Sequence, residues 1–362
     1  MLRIVFVLAC CVALGAPRAA RSQAPDAAAA PGGGSGSAAV ANPATSVIGW
    51  FQAAAGGDHS AQGDAFALRE AEIGFQATVD PFTRADFFLS AGPEGLDVEE
   101  GYLTWLALPG RGQAKIGRFR ADLGKFNRTH PPETPFADRP LAAQAFLGEE
   151  GLSTTGLSVS ALLPNPLALY WDATANVGVV PDSSASPLFE PETRSDLLAV
   201  GRTSVFVPLG GSTDLDLGVS YANAASRPAL RSEGNRAQLA AGDATLRWKN
   251  PRRAIYRSLL VQGEYLVEQG SASSAPRRGG GFLYVIYQLA RQWKVGARYD
   301  RTDRPGGPGG ERGVLGLLQY QPSEFSTVSV QARRVRGPGG SDRDAAFLKW
   351  TFNIGPHGAH PY

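Results

Sequence analysis

Between Ala71 and Val79 the chain alternates: Ala71, Ile73, Phe75, Ala77 and Val79 share one face, and Glu72, Gly74, Gln76 and Thr78 share the other. A repeat of two is the signature of a strand that meets an apolar medium on one side only. The same split recurs where Leu215, Leu217, Val219 and Tyr221 oppose Asp214, Asp216, Gly218 and Ser220. It returns where Trp293, Val295, Ala297 and Tyr299 oppose Lys294, Gly296, Arg298 and Asp300, and again from Ala346 to Ile354. From Ser46 to Gly355 this template predicts about sixteen strands of roughly 8 to 14 residues. No stretch in that region has the ~20 consecutive apolar residues of a spanning helix, so entry into a membrane would be by strands.

The connections alternate in length. Short ones include Asp80-Pro81, Pro109 to Arg111, Pro164 to Pro166, Ala290 to Gln292 and Pro322 to Glu324. Between them lie longer segments at 56–64, 91–97, 121–154, 181–194, 224–235, 269–279, 303–311 and 337–343. A soluble sandwich or propeller has no reason to sort its turns this way, whereas an outer-membrane barrel has short periplasmic turns and long outward loops. The fold class predicted is all-β: a closed, antiparallel transmembrane barrel. Trp248 and Tyr256, Tyr287 and Trp293, and Tyr320 and Phe325 bracket short turns, and Phe82, Trp105 and Phe206 lie near others, as in an interfacial aromatic girdle. The polar faces would line an aqueous lumen, with Glu72, Asp86, Arg247, Glu264, Lys294, Arg298, Arg333 and Lys349 as candidate lining residues. The competing reading, a soluble β-protein with a solvated outer face, leaves the turn rhythm unexplained.

Three segments follow. Residues 1–24 carry Arg3, an apolar run from Ile4 to Leu14 and the small-residue tripeptide Ser22-Gln23-Ala24, the anatomy of a cleaved secretory signal. Residues 25–45 are an Ala/Gly/Ser-rich linker, and residues 46–362 form the barrel. The two cysteines, Cys10 and Cys11, fall inside the signal, so the mature chain would have no thiol chemistry. Lys plus Arg number 35 against 33 for Asp plus Glu, which gives no net pull toward nucleic-acid phosphates.

The segment 121–154 is the longest connection at 34 residues, a length that usually means function. If folded into the lumen, its Arg128, His130, Glu133, Asp138, Arg139, Glu149 and Glu150 would form a constriction that sorts solutes by size and charge. Phe126, Phe136, Leu141 and Phe146 need something to pack against, which favours infolding over an extracellular flap. His130 is the loop's only histidine, and a barrel enzyme would require a serine and an orienting acid beside it. His357 and His360 are three apart on a short tail, a weak arrangement for a metal. No catalytic residue, metal or cofactor is assigned.

The run Lys115-Ile116-Gly117-Arg118-Phe119-Arg120-Ala121-Asp122-Leu123-Gly124 is similar to the strand through which the phosphate-selective porin O and P superfamily enters its third loop. Asn127-Arg128-Thr129-His130-Pro131, Asp138-Arg139-Pro140, Leu147-Gly148-Glu149-Glu150-Gly151-Leu152 and the tail from Gly355 to Tyr362 also resemble a branch of Gram-negative outer-membrane porins. The resemblance implies an outer-membrane channel for passive diffusion of small hydrophilic solutes or ions, contact with outer-membrane lipid, and recognition of Tyr362 by barrel-assembly machinery. A homotrimer is compatible with it, although the chain carries a Gly/Ser linker where some members carry a coiled coil. Lysine is confined to Lys115, Lys125, Lys249, Lys294 and Lys349, so the predicted lumen is of mixed sign. A non-conducting structural or receptor barrel remains the alternative, and a barrel enzyme a more distant one.

Overall fold

The computed structural model describes residues 43–56, 66–93, 95–181, 186–190, 196–272, 274, 276–303, 309–340 and 342–355. The expected signal and most of the expected linker, up to residue 42, lie outside the described residues, as do His59, His357, His360 and Tyr362; the first strand takes in Ala44 and Thr45 of the expected linker. The strands are β1 (Ala44–Gly56), β2 (Ala67–Asp80), β3 (Thr83–Gly92), β4 (Gly95–Leu108), β5 (Gly112–Arg120), β6 (Ser153–Leu162), β7 (Tyr170–Val179) and β8 (Leu198–Pro208). They continue with β9 (Thr213–Ala225), β10 (Arg236–Lys249), β11 (Ser258–Gly270), β12 (Arg277–Ala290), β13 (Trp293–Asp303), β14 (Gly310–Ser323), β15 (Ser326–Arg336) and β16 (Asp342–Ile354). A short helix, α1 (Leu141–Leu147), lies in the long loop between β5 and β6.

Every strand pairs antiparallel with its neighbours in sequence, and β1 pairs with β16 from Val47↔Ile354 to Gly56↔Ala345, so the sheet has no edge. Closure satisfies every strand's backbone groups without water, the condition for crossing a bilayer. Period-two alternation sets the faces. Val219, Val314 and Val330 point outward at 60, 54 and 58% exposure, part of an apolar belt that wraps the wall. Such a belt on a closed barrel is a lipid-facing surface. At the short-turn end Trp293 and Tyr320 face outward in contact, their rings tilted by 38° with centroids 4.8 Å apart. Phe206 departs from the expected girdle: its position faces inward and it lines the mouth of the lumen, opposite Tyr170.

The inward face is not uniformly polar, which corrects the expectation that polar residues line the lumen throughout. Along β10 the inward positions read Ala237, Leu239 and Ala241 near the long-loop end, then Asp243, Thr245 and Arg247 toward the short-turn end. Inward Leu198, Val200, Ala222, Ala224 and Leu266 extend the apolar half across β8 to β11. An apolar inner wall has no use in water; here it packs against protein.

Candidate functional site in the lumen

What fills that half is the loop between β5 and β6. Ala121, Leu123, Ala142, Phe146, Leu147 and Leu152 join the inward residues of β8 to β11 in one buried cluster. Phe126, Phe136 and Ala143 form a second cluster with Phe282, Tyr284, Leu315 and Leu317. Phe136 meets Tyr284 edge-on at 5.1 Å and Phe126 meets Phe282 at 5.2 Å. The apolar side chains that required a packing partner therefore find it inside the barrel.

Polar groups fix the loop's path, and they come from strands all round the wall. Asn176 of β7 accepts from Asp122 N at 2.8 Å, and Ser220 of β9 from Gly124 N at 2.8 Å. Glu264 of β11 accepts from the amides of Lys125 and Phe126 at 2.9 and 3.0 Å. Gly124 stands at φ +68°, and a Cβ there would collide with the Glu264 carboxylate, so glycine lets the acid reach the backbone. The loop then crosses the lumen. Lys349 of β16 donates to the carbonyls of Pro131, Thr134 and Phe136 at 3.3, 2.7 and 3.0 Å. Gln331 of β15 accepts from Ala137 N at 3.0 Å and donates to Pro135 O at 3.1 Å. Asp138 is gripped by Arg298 of β13 and Arg333 of β15, and Asp300 accepts from Leu141 N at 3.3 Å. Asn127 ties the loop's two ends, donating to Ala121 O and Leu152 O and accepting from Leu152 N, all within 2.9 Å.

His130 anchors the crossing point and has no solvent exposure. Its Nδ1 lies 2.9 Å from Glu72 and 2.6 Å from Glu99, and its Nε2 2.9 Å from Glu100. Burial and the nearby Arg120 charge work against protonation, yet the surrounding carboxylates, Glu72 and Glu100 foremost, raise its pKa well above the usual imidazole value. The ring is thus a buried cation with both nitrogens turned to carboxylates, leaving neither to take a proton from a serine. Glu72, Glu99 and His130 also bring ligand-type atoms within 4.8 Å of one another. Arg120, 3.0 Å from Glu99, already supplies positive charge there. Asp138 shows the opposite case: burial would raise its pKa, but the charges of Arg298 and Arg333 hold its carboxyl below the ordinary value.

Below the loop, toward the short turns, lies a cavity of about 1740 Å³. Thr129, Pro132, Glu133, Thr134 and Pro135 form its roof, and Arg111 and Glu324 lie at its rim. Among the described residues its wall carries eight Arg or Lys side chains and five Asp or Glu. Four of these cations are paired: Lys125 with Asp216 and Arg128 with Asp122 at 3.4 Å, both acids of the same wall, and Arg202 with Asp243 at 2.6 Å and Arg247 with Asp214 at 3.1 Å. Lys294 reaches the cavity with no ion pair among the described residues.

Of the seven loop residues expected at a constriction, Arg128 and Glu133 line this cavity. His130 and Arg139 are buried and Asp138 is half-buried, all in contacts with the wall or the loop; Arg139 lies over the Phe126 ring at 5.3 Å. Glu149 and Glu150 are exposed on the other side, where the Glu150 carbonyl accepts from Arg120. All eight expected lumen residues face inward. Arg247, Lys294 and Lys349 border the cavity, Glu72, Glu264, Arg298 and Arg333 hold the loop, and Asp86 pairs with Arg84 at 2.6 Å. Asn127, Asn176, Ser220, Arg120 and the Arg202–Asp243 pair, 2.6 Å apart, were not singled out from sequence. The short neutral ones carry no charge signal. Arg202 and Asp243 did show one, as charged residues on the inward register of β8 and β10.

No protein-family model matches the chain. An uncharacterized protein of Aquifex aeolicus is 28% identical over 335 residues, covering 82% of this chain and 70% of that protein. Among solved structures, OprB of Pseudomonas putida aligns with 86% of this chain and 94% of its own, at a TM-score of 0.59 and 11% identity. The anion-selective porin of Comamonas acidovorans aligns with 86% of this chain and all of its own, at a TM-score of 0.57 and 12% identity. The chain has the closed sixteen-stranded fold of outer-membrane porins.

Proposed function

We propose that the protein is a passive diffusion channel of the outer membrane, that the 121–152 loop sets its limiting cross-section, and that it favours small anions. The observation that carries this reading is the cavity of about 1740 Å³ beneath the loop, with its surplus of cationic side chains. Field lines concentrate in a low-dielectric bore, so a modest surplus of one sign biases which ion enters. The solved barrel from Comamonas acidovorans, described as an anion-selective porin, supports the same direction. A homotrimer also belongs to this reading, since a trimer form is recorded for the similar barrel OmpT of Vibrio cholerae. His130, held as a cation among carboxylates, supports a transport role over a catalytic one.

In planar bilayers the full-length protein is expected to give discrete conductance steps, with a reversal potential in a salt gradient displaced toward that of the anion. Deleting residues 127–148 is expected to enlarge the steps; unchanged conductance would refute the loop's role. The second reading, a non-conducting barrel, draws on the dry cluster of loop and wall across the outer half. Folded protein that stays silent at all voltages would select it.

A further inference from the structure

The outer wall carries a site that the channel reading does not use. On β13, β14 and β15, Arg301, Arg312 and Arg336 are directly registered with one another and all face outward at the long-loop end. Adjacent strands are about 4.8 Å apart, so three guanidiniums stand in one row, and like charges placed opposite each other destabilise a sheet. Asp342 on β16 continues the row and pairs with Arg336 at 3.1 Å. Arg301 and Arg312 have no ion pair or hydrogen bond among the described residues. Arg301 follows outward-facing Tyr299 by two positions, above the apolar belt, at the height where lipid gives way to headgroups.

The same Arg301 ends a hollow of about 880 Å³ in the lipid-facing wall. In register along the sheet, Arg301 is followed by Gly281, Tyr265, Gly242 and Val219. The parallel row beneath runs Tyr299, Leu283, Gly263, Ala244 and Leu217. Small outward residues between large ones make the trough, and a Cβ added at Gly242 would meet nothing within 4 Å. An apolar trough that ends at unneutralised guanidiniums has the shape of one kind of molecule, an acyl chain attached to a phosphate.

We propose that Arg301 and Arg312 bind the phosphate of an acylated phospho-lipid of the outer leaflet, with Arg336 beside them, and that an acyl chain of that lipid lies in the trough past Gly242. Phosphate neutralises the row through charge-assisted, bidentate bonds, and the chain buries the exposed apolar floor.

The experiment is native mass spectrometry of the full-length folded protein in detergent, titrated with hexa-acyl diphosphoryl lipid A, its fully dephosphorylated form, and inorganic phosphate. Wild type is expected to retain diphosphoryl lipid A preferentially and not to retain inorganic phosphate. R301S/R312S is expected to weaken retention about tenfold or more, the scale of losing charged hydrogen bonds. Gly242→Trp, which fills the trough while leaving the arginines in place, is expected to weaken it as well. Heat-modifiable migration on gels establishes that each variant is folded, and Gly242→Trp alone keeps the test decisive if the double variant is not. Equal retention of the phosphorylated and dephosphorylated lipids would overturn the proposal, as would undiminished retention by the folded variants. A disulfide linking two copies through Gly242→Cys in high yield would also overturn it, by placing a second protomer in the trough.

Discussion

The guanidinium of Arg298 holds both carboxylate oxygens of Asp138, at 3.0 and 2.9 Å, across 160 residues of sequence. Arg333 reaches the same carboxylate at 2.5 Å, and Arg298 turns its Nε to Asp300 at 2.7 Å. Asp138 and Asp300 thus balance two wall cations that have little water to fall back on, and only Asp138 comes from the loop. Asp138→Asn keeps the shape and removes the charge, at an expected cost of about 3–5 kcal/mol for a broken buried pair. The readout is faster protease cleavage within 121–152 of the folded barrel; an unchanged cleavage rate would contradict this.

Lys349→Met tests the other side of the crossing. It leaves three carbonyl acceptors of the loop without their donor, each worth about 1–3 kcal/mol when buried unsatisfied. The expected result is a lower thermal midpoint together with a noisier open channel, since the same residue holds the roof of the cavity. Trp50, whose ring lies 4.5 Å from the ammonium, should report the loss as a change in fluorescence.

The His130 anchor predicts a pH dependence with a definite sign. Its folded pKa is raised, so its contribution is fully present below the unfolded value of about 6.5 and is lost as pH rises through the folded value. Asp138 has a depressed folded pKa, so its contribution is lost as pH falls through that value. Loop protection against proteolysis should therefore decline at both ends. His130→Gln should abolish the alkaline limb only, which a pH series of the two proteins would show.

Lys294→Glu reverses a charge that has no ion-pair partner among the described residues on the cavity wall. Two units of charge change at about 7 Å in a high-dielectric bore amount to about 1 kcal/mol for each ion, with opposite sign for anion and cation, so the anion-to-cation permeability ratio should fall roughly thirtyfold at low salt. Reversal potentials in a salt gradient measure this directly. A ratio that does not move would remove Lys294 from the selective path.

The barrel was legible because lipid imposes one rule on every strand, and Ala71 to Val79 already displays it. The strand spans, the short and long turns and the interior seat of the loop all follow from period two and from Phe126, Phe136 and Phe146 needing cover. The division of the lumen was less legible. Leu239 and Asp243 occupy the same inward register of β10, and only the loop's position explains why one is apolar and the other charged. His130 and Asp138 read as pore residues because charge in a loop suggests solvent; their partners lie on β2, β4, β13 and β15, and no local spacing reveals such pairings.

Lys349 belongs to the last strand and Glu72 to the second, one on each side of the β1–β16 seam, and both are fastened to the same short stretch of loop around residues 130–136. The seam is therefore clasped from within as well as zipped along its backbone. Opening it laterally pulls the loop from at least one of these anchors, Lys349 on one flank or Glu72 on the other. Parting the first and last strands thus requires the loop to let go of one flank as well as the ladder between them to break.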